Sequence, residues 1–149
     1  HGIGLAAPQI GLDIRLFIVD VTPLADDEDY EDIADELQDF KKVFINARIL
    51  EESGNEWKFN EGCLSIPDVR EDVSRKETIL IEYFDENFVK HTDTFSDMRA
   101  RVIQHEYDHI EGILFTDHLS SLKKKLVKGK LVKISHGDVA VNYKMRFPK

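Results

Sequence analysis

Gln104-His105-Glu106-Tyr107-Asp108-His109 reads His-Glu-x-x-His, near the end of an apolar-periodic stretch that begins at Ser96 or Asp97 and stops at Gly112. On a helix, residues four apart are neighbours on one face, with Cβ atoms roughly 5–6 Å apart. Two imidazoles so placed can grip one metal ion, and the Glu after the first can reach a water that the metal holds. A helix carrying two surface histidines would show the same pattern. Two stripes run along this helix. Ala100, Ile103, Tyr107 and Ile110 form a core-facing one, and Met98, Val102, His105 and His109 a second. The second stripe puts two apolar side chains one and two turns before the histidines. They are either core or a rest for a hydrophobic substrate group beside the metal.

Working outward, the helix is expected to be flanked by strands. Arg15–Val21 and Val43–Ala47 are apolar and β-branched. Glu52–Glu56 reads as a turn and Trp57–Phe59 as the start of a returning strand. Thr78–Phe84 and Val89–Phe95 are further strands, joined by a turn at Asp85-Glu86-Asn87. Ser120 or Ser121 can cap a second helix through Leu126, and Val139–Phe147 alternates like a final strand. The opening Gly2-Ile3-Gly4-Leu5-Ala6-Ala7-Pro8-Gln9 reads on its own as a glycine-rich loop whose small residues allow close approach. It completes no dinucleotide fingerprint. The fold class is α+β: mostly antiparallel strands packed around a central metal-binding helix, in one domain over residues 1–149.

Composition narrows the function. Of 149 residues, 42% are hydrophobic, an ordinary globular share, and no apolar run approaches the ~20 residues that span a bilayer. Cys63 is the one cysteine, so no internal disulfide can form. The net charge of −9 is uneven. Residues 123–149 hold nine Lys or Arg against Asp138, a net +8, which leaves −17 on residues 1–122. Residues 26–39 carry nine acids and no base, and are expected to form an acidic surface insertion with a short helix. Overall acidity argues against DNA binding.

A metallopeptidase needs a third ligand. Gly112 fits the His-x-x-x-His-x-x-Gly-x-x-His pattern, but Phe115 stands at its last position. No glutamate follows Glu111, and Asp117, His118, His136 and Asp138 have no recognised spacing. Cys63 offers an alternative. A thiolate with two imidazoles leaves a fourth tetrahedral position open, although a free cysteine also serves as a small buried hydrophobe.

Gly2–Gln9, Glu61-Gly62-Cys63-Leu64-Ser65 and Gln104–His109 together resemble, in order and separation, the three signature motifs of the peptide deformylases. The resemblance implies a hydrolase that removes the formyl group from the N-terminal formylmethionine of nascent polypeptides. Carried over by position, Cys63, His105 and His109 hold one divalent metal ion, Fe(II) in the native enzyme, with Zn, Ni or Co as substitutes. Glu106 is the general base and then acid for attack by metal-bound water, with Leu64 N–H and the Gln9 amide as the oxyanion site. Ile3, Met98 and Val102 would cradle the methionine, Gly4 and Gly62 would let the peptide backbone approach, and Arg70 would steer it further along. Glu61 is expected to orient a ligand histidine, and Asp108 to pair with Arg75. The resemblance further implies a monomer in the bacterial cytoplasm or an organelle, with ribosome contact through the basic C-terminal region and no membrane partner. The family's N-terminal helix ahead of the first motif is expected to be missing. An endopeptidase, or a domain that holds a metal without turnover, are the rival readings.

Overall fold

Antiparallel pairing of short apolar runs organises the computed structural model, which describes residues 2–147. Five strands form one sheet in chain order: β1 (Gly4–Ala6), β2 (Leu16–Asp20), β3 (Lys41–Cys63), β4 (Ile66–Phe84) and β5 (Lys90–Ser96). β1 pairs with β2 with Gly4 opposite Val19, and β2 with β3 with Leu16 opposite Ile45. β4 pairs with β5 with Thr78 opposite Ser96. Among the described residues there are also three α-helices: α1 (Ala34–Gln38), α2 (Asp97–Ile110) and α3 (Ser121–Ser135). The α+β class holds. Among the described residues, no helix is long and apolar enough to cross a membrane.

Contacts group the chain into two compact units, His1–Trp57 with Arg75–Ile113, and Lys58–Ser74 with Leu114–Lys149. In the first, Phe17 stacks on Phe44 at 4.8 Å, Phe44 meets Tyr83 at 4.4 Å, and Phe95 closes edge-on against Phe40 and Phe44. Aromatic residues on alternate positions of facing strands fall on one side of a sheet, and this cluster is the result. Cutting Phe44 to alanine there costs about 3–5 kcal/mol. The helix α2 packs on β1, β2 and β5. The second unit has its own core of Ile66, Val69, Val73, Phe115, Leu119 and Val127, with Cys63, Leu131 and Ile134 half-buried against it.

Several local expectations change. The glycine-rich opening is a short strand followed by a 3-10 helix, Ala7–Ile10, with Gly11 in the left-handed region ending it. Glu52–Glu56 does not turn the chain: β3 runs through it to Cys63, and Leu64-Ser65 makes the turn into β4. Gly54, at φ +80°, absorbs the irregularity, while Asn55 N–H donates to Glu77 Oε1 at 3.0 Å. Turn-type composition here makes a distortion inside a strand rather than a reversal. α3 extends past Leu126 to Ser135. Its N-cap is Ser120, whose hydroxyl accepts from Lys123 N–H. Val139–Phe147 is not a strand. Its alternation shows in half-buried Val139 and Val141 against exposed Ala140 and Asn142, but alternation fixes which side faces protein, and a ladder also needs a partner edge. Residues 28–33 are 3-10 helix leading into α1, which buries Leu37 within the acidic stretch. Lys149, counted in the basic end, lies outside the described residues.

Candidate metal centre

The helix α2 starts after Ser96 and ends where Glu111 and left-handed Gly112, at φ +74°, reverse the chain. His105 and His109 are neighbours on it, with ring centroids 5.2 Å apart and planes at 78°. Buried polar groups hold the helix in place. Gln104 Nε2 donates to Lys76 O and Ala100 O, both at 3.1 Å. The guanidinium of Arg101 lies 4.2 Å over the Trp57 ring and donates to Trp57 O at 2.7 Å. Arg75 Nη1 meets Asp108 Oδ2 at 2.8 Å, with both side chains almost fully covered. At the C-terminal end, Arg15 donates to Ile110 O, pairs with Glu111 and lies over Tyr107, where a cation complements the helix dipole. The Arg75–Asp108 pair matches the sequence expectation. The roles of Arg101 and Arg15 left no sequence signal, because their partners are 44 residues away for Arg101 and 95 for Arg15's bond to Ile110.

Cys63, which forms no disulfide, ends β3, half-buried beside the two-residue turn. The thiol of Cys63 and the ring nitrogens of His105 and His109 offer ligand atoms all within 4.8 Å of one another, a group that could hold a metal ion. A thiol and two imidazoles are donor types that suit a divalent metal ion.

Glu106 is buried, at 5% exposure, one residue after the first histidine. Its side chain lies against Gly4: a Cβ built on Gly4 would stand 2.7 Å from both Cδ and Cγ of Glu106. Gln9, half-buried in the 3-10 helix, accepts from Ala6 N–H at 2.8 Å through Oε1, so the donor end of its amide is turned away from that bond. Leu64 is exposed in the turn, and its carbonyl accepts from the Tyr143 hydroxyl at 2.8 Å.

The remaining predicted residues divide. Met98 and Val102 are buried on α2, one and two turns before the histidines. Ile3 is half-buried, and its carbonyl accepts from Asp20 N–H at 2.9 Å. Glu61 is a buried carboxylate. Arg70 is exposed and engaged with Asn60, donating from Nε to Oδ1 at 2.9 Å and from Nη2 to the carbonyl. It lies across Gly62, where a Cβ would meet Nη1 at 2.7 Å.

A family model described as polypeptide deformylase matches residues 1–125. The chain is 63% identical to the peptide deformylase of Christiangramia forsetii over 149 residues, covering 99% of this chain and 76% of that one. It is 60% identical to that of Flavobacterium johnsoniae over 148 residues, with 99% and 76% covered. Among solved structures, a Plasmodium falciparum peptide deformylase in complex with an inhibitor superposes with a TM-score of 0.73 at 32% identity, covering 91% of this chain and 74% of that one.

Proposed function

The chain belongs to the polypeptide deformylase family, and from that membership we propose that it hydrolyses the formyl group from the N-terminal formylmethionine of newly made polypeptides in the cytoplasm. The observation that carries this reading is the Cys63, His105 and His109 donor set with Glu106 buried between the two histidines in sequence. Those three residues would hold one divalent ion, with Fe(II) proposed as the native one; a thiolate with two imidazoles would also accept Zn, Ni or Co. When bound, the ion supplies Lewis acidity, which brings the deprotonation of water near neutrality and polarises the formyl carbonyl.

Glu106 takes the proton from the attacking water and returns it to the leaving amine. Its burial suits the task, because a carboxylate held away from bulk solvent exchanges its proton with the reacting groups. Leu64 N–H and the Gln9 amide donate to the oxyanion as charge develops there, and the loss of one such donor typically costs ~10²–10³ in rate. The bond from Ala6 N–H to Gln9 Oε1 supports this role, since it anchors the amide through its oxygen, the end that cannot donate. Ile3, Met98 and Val102 cradle the methionine side chain, and Gly4 and Gly62 admit the peptide backbone.

The test is formate release from a formyl-Met tripeptide by the chain loaded with Fe(II) under anaerobic conditions. Glu106→Gln is expected to abolish release while bound metal per chain stays the same. Absence of formate from the loaded, unsubstituted chain would overturn the reading.

A further inference from the structure

The segment 138–147 follows α3 without forming the strand its alternation suggests, and it is built as a loop that closes on itself. Gly137, at φ +76°, reverses the chain, with Gly137 N–H donating to Ile134 O and Asp138 N–H to Lys133 O, both at 2.9 Å. Ten residues later Phe147 returns to the same glycine: a Cβ on Gly137 would be 3.1 Å from the Phe147 ring. Tyr143 stands midway along this loop, and its hydroxyl donates to Leu64 O at 2.8 Å across 79 residues of sequence.

The acceptor matters more than the distance. Leu64 and Ser65 are the two residues between β3 and β4, so Leu64 C=O belongs to the central peptide of a tight turn. That peptide plane is the one whose orientation distinguishes type I from type II turns, and it is the plane most free to flip in a two-residue connection. A hydrogen bond to its oxygen selects one orientation. Through the φ and ψ of Leu64 it also restrains the preceding plane, which carries Leu64 N–H. Phenolic hydroxyls remain protonated donors at neutral pH, so the restraint is present under working conditions.

We propose that Tyr143 is a positioning residue for the reaction: its hydroxyl fixes the Leu64–Ser65 turn and so keeps Leu64 N–H aimed as an oxyanion donor. This rests on the assignment of Leu64 to the oxyanion site. The loop after α3 thereby acquires a task in turnover, though it is remote in sequence from all three motifs.

The test compares Tyr143→Phe with the unsubstituted chain. The variant keeps the ring and loses only the hydroxyl. A net hydrogen bond of this kind corresponds to about a threefold to tenfold change in rate. kcat on a formyl-Met tripeptide is expected to fall by that factor with KM and bound metal unchanged. In the zinc-loaded protein, amide hydrogen exchange at Leu64 and Ser65 should accelerate while amides of α2 keep their rates. Unchanged exchange at both residues would overturn the proposal whatever the rate does. Faster exchange with an unchanged kcat would also overturn it, and would locate the fault in the assignment of Leu64. Loss of metal or general acceleration of exchange would make the bond merely structural, which again overturns it. The exchange measurement needs no turnover, so it reads the contact even if the unsubstituted chain released no formate.

Discussion

Glu106 occupies the space that a side chain on Gly4 would take. A methyl at Gly4 would stand 2.7 Å from Cδ and Cγ of the carboxylate arm, well inside van der Waals contact. Gly4 has no left-handed backbone; it is glycine for room, not for conformation. Neither backbone can easily retreat, since β1 is paired to β2 and Glu106 is on a helix fixed by buried polar contacts. Gly4→Ala should therefore displace the carboxylate rather than the backbone. A shift near 1 Å at a catalytic group costs on the order of 10²-fold. The expected result is that loss in kcat with metal content unchanged. A fully active Gly4→Ala chain would mean that the carboxylate has another place to go.

Cys63, as the proposed third ligand, decides between a three-residue centre and a histidine pair. Cys63→Ala removes the thiolate and leaves two imidazoles, too few for a structural or catalytic divalent centre. Bound metal per chain, measured after dialysis against a weak chelator, should fall sharply, and activity with it. Undiminished metal would place the third ligand elsewhere.

The neighbouring histidines were legible because four-residue spacing on a helix is a purely local property, as was the upper limit of the helix at Gly112. The strand alternation of Leu16–Asp20 and Thr78–Phe84 was legible for the same reason. What escaped the sequence depends on partners far along the chain. Glu52–Glu56 has turn composition, yet Glu77 accepts from Asn55 N–H and β3 continues. Val139–Phe147 alternates like a strand, yet pairing is a property of two segments and this one has no ladder. Gly4 could be marked as a site of close approach. That the approaching group is Glu106, 102 positions later, needed the packing of α2 on β1.

Arg75 and Asp108 form a buried ion pair whose side chains are 5% and 12% exposed, at 2.8 Å. Removing one partner strands the other charge in a poorly solvated place. Asp108→Ala should lower stability by about 3–5 kcal/mol, read from the urea midpoint. Replacing both residues, as Arg75→Met with Asp108→Leu, should cost far less than the single change, because no charge remains buried. A double variant as unstable as the single one would show that the pair acts through geometry at α2 and not through charge.

Asp85 tests the β4–β5 connection by pH. Its carboxylate meets His91 Nε2 at 2.7 Å and accepts from the N–H groups of Val89 at 3.0 Å and Asn87 at 2.8 Å. These bonds, that of His91 foremost, hold its pKa below the ordinary carboxylate value. A carboxylate depressed in the folded state stabilises the fold fully above its unfolded pKa of about 3.9, and loses that contribution as pH falls through the folded value. Asp85→Ala should therefore melt at a lower temperature than the unsubstituted chain at pH 7. The difference should persist down to about pH 4 and narrow below it as the native carboxylate takes up its proton. A difference that stays constant to pH 2 would assign the effect to the lost turn geometry, since a protonated carboxyl still accepts from the backbone N–H groups through its carbonyl oxygen and only its charge is lost.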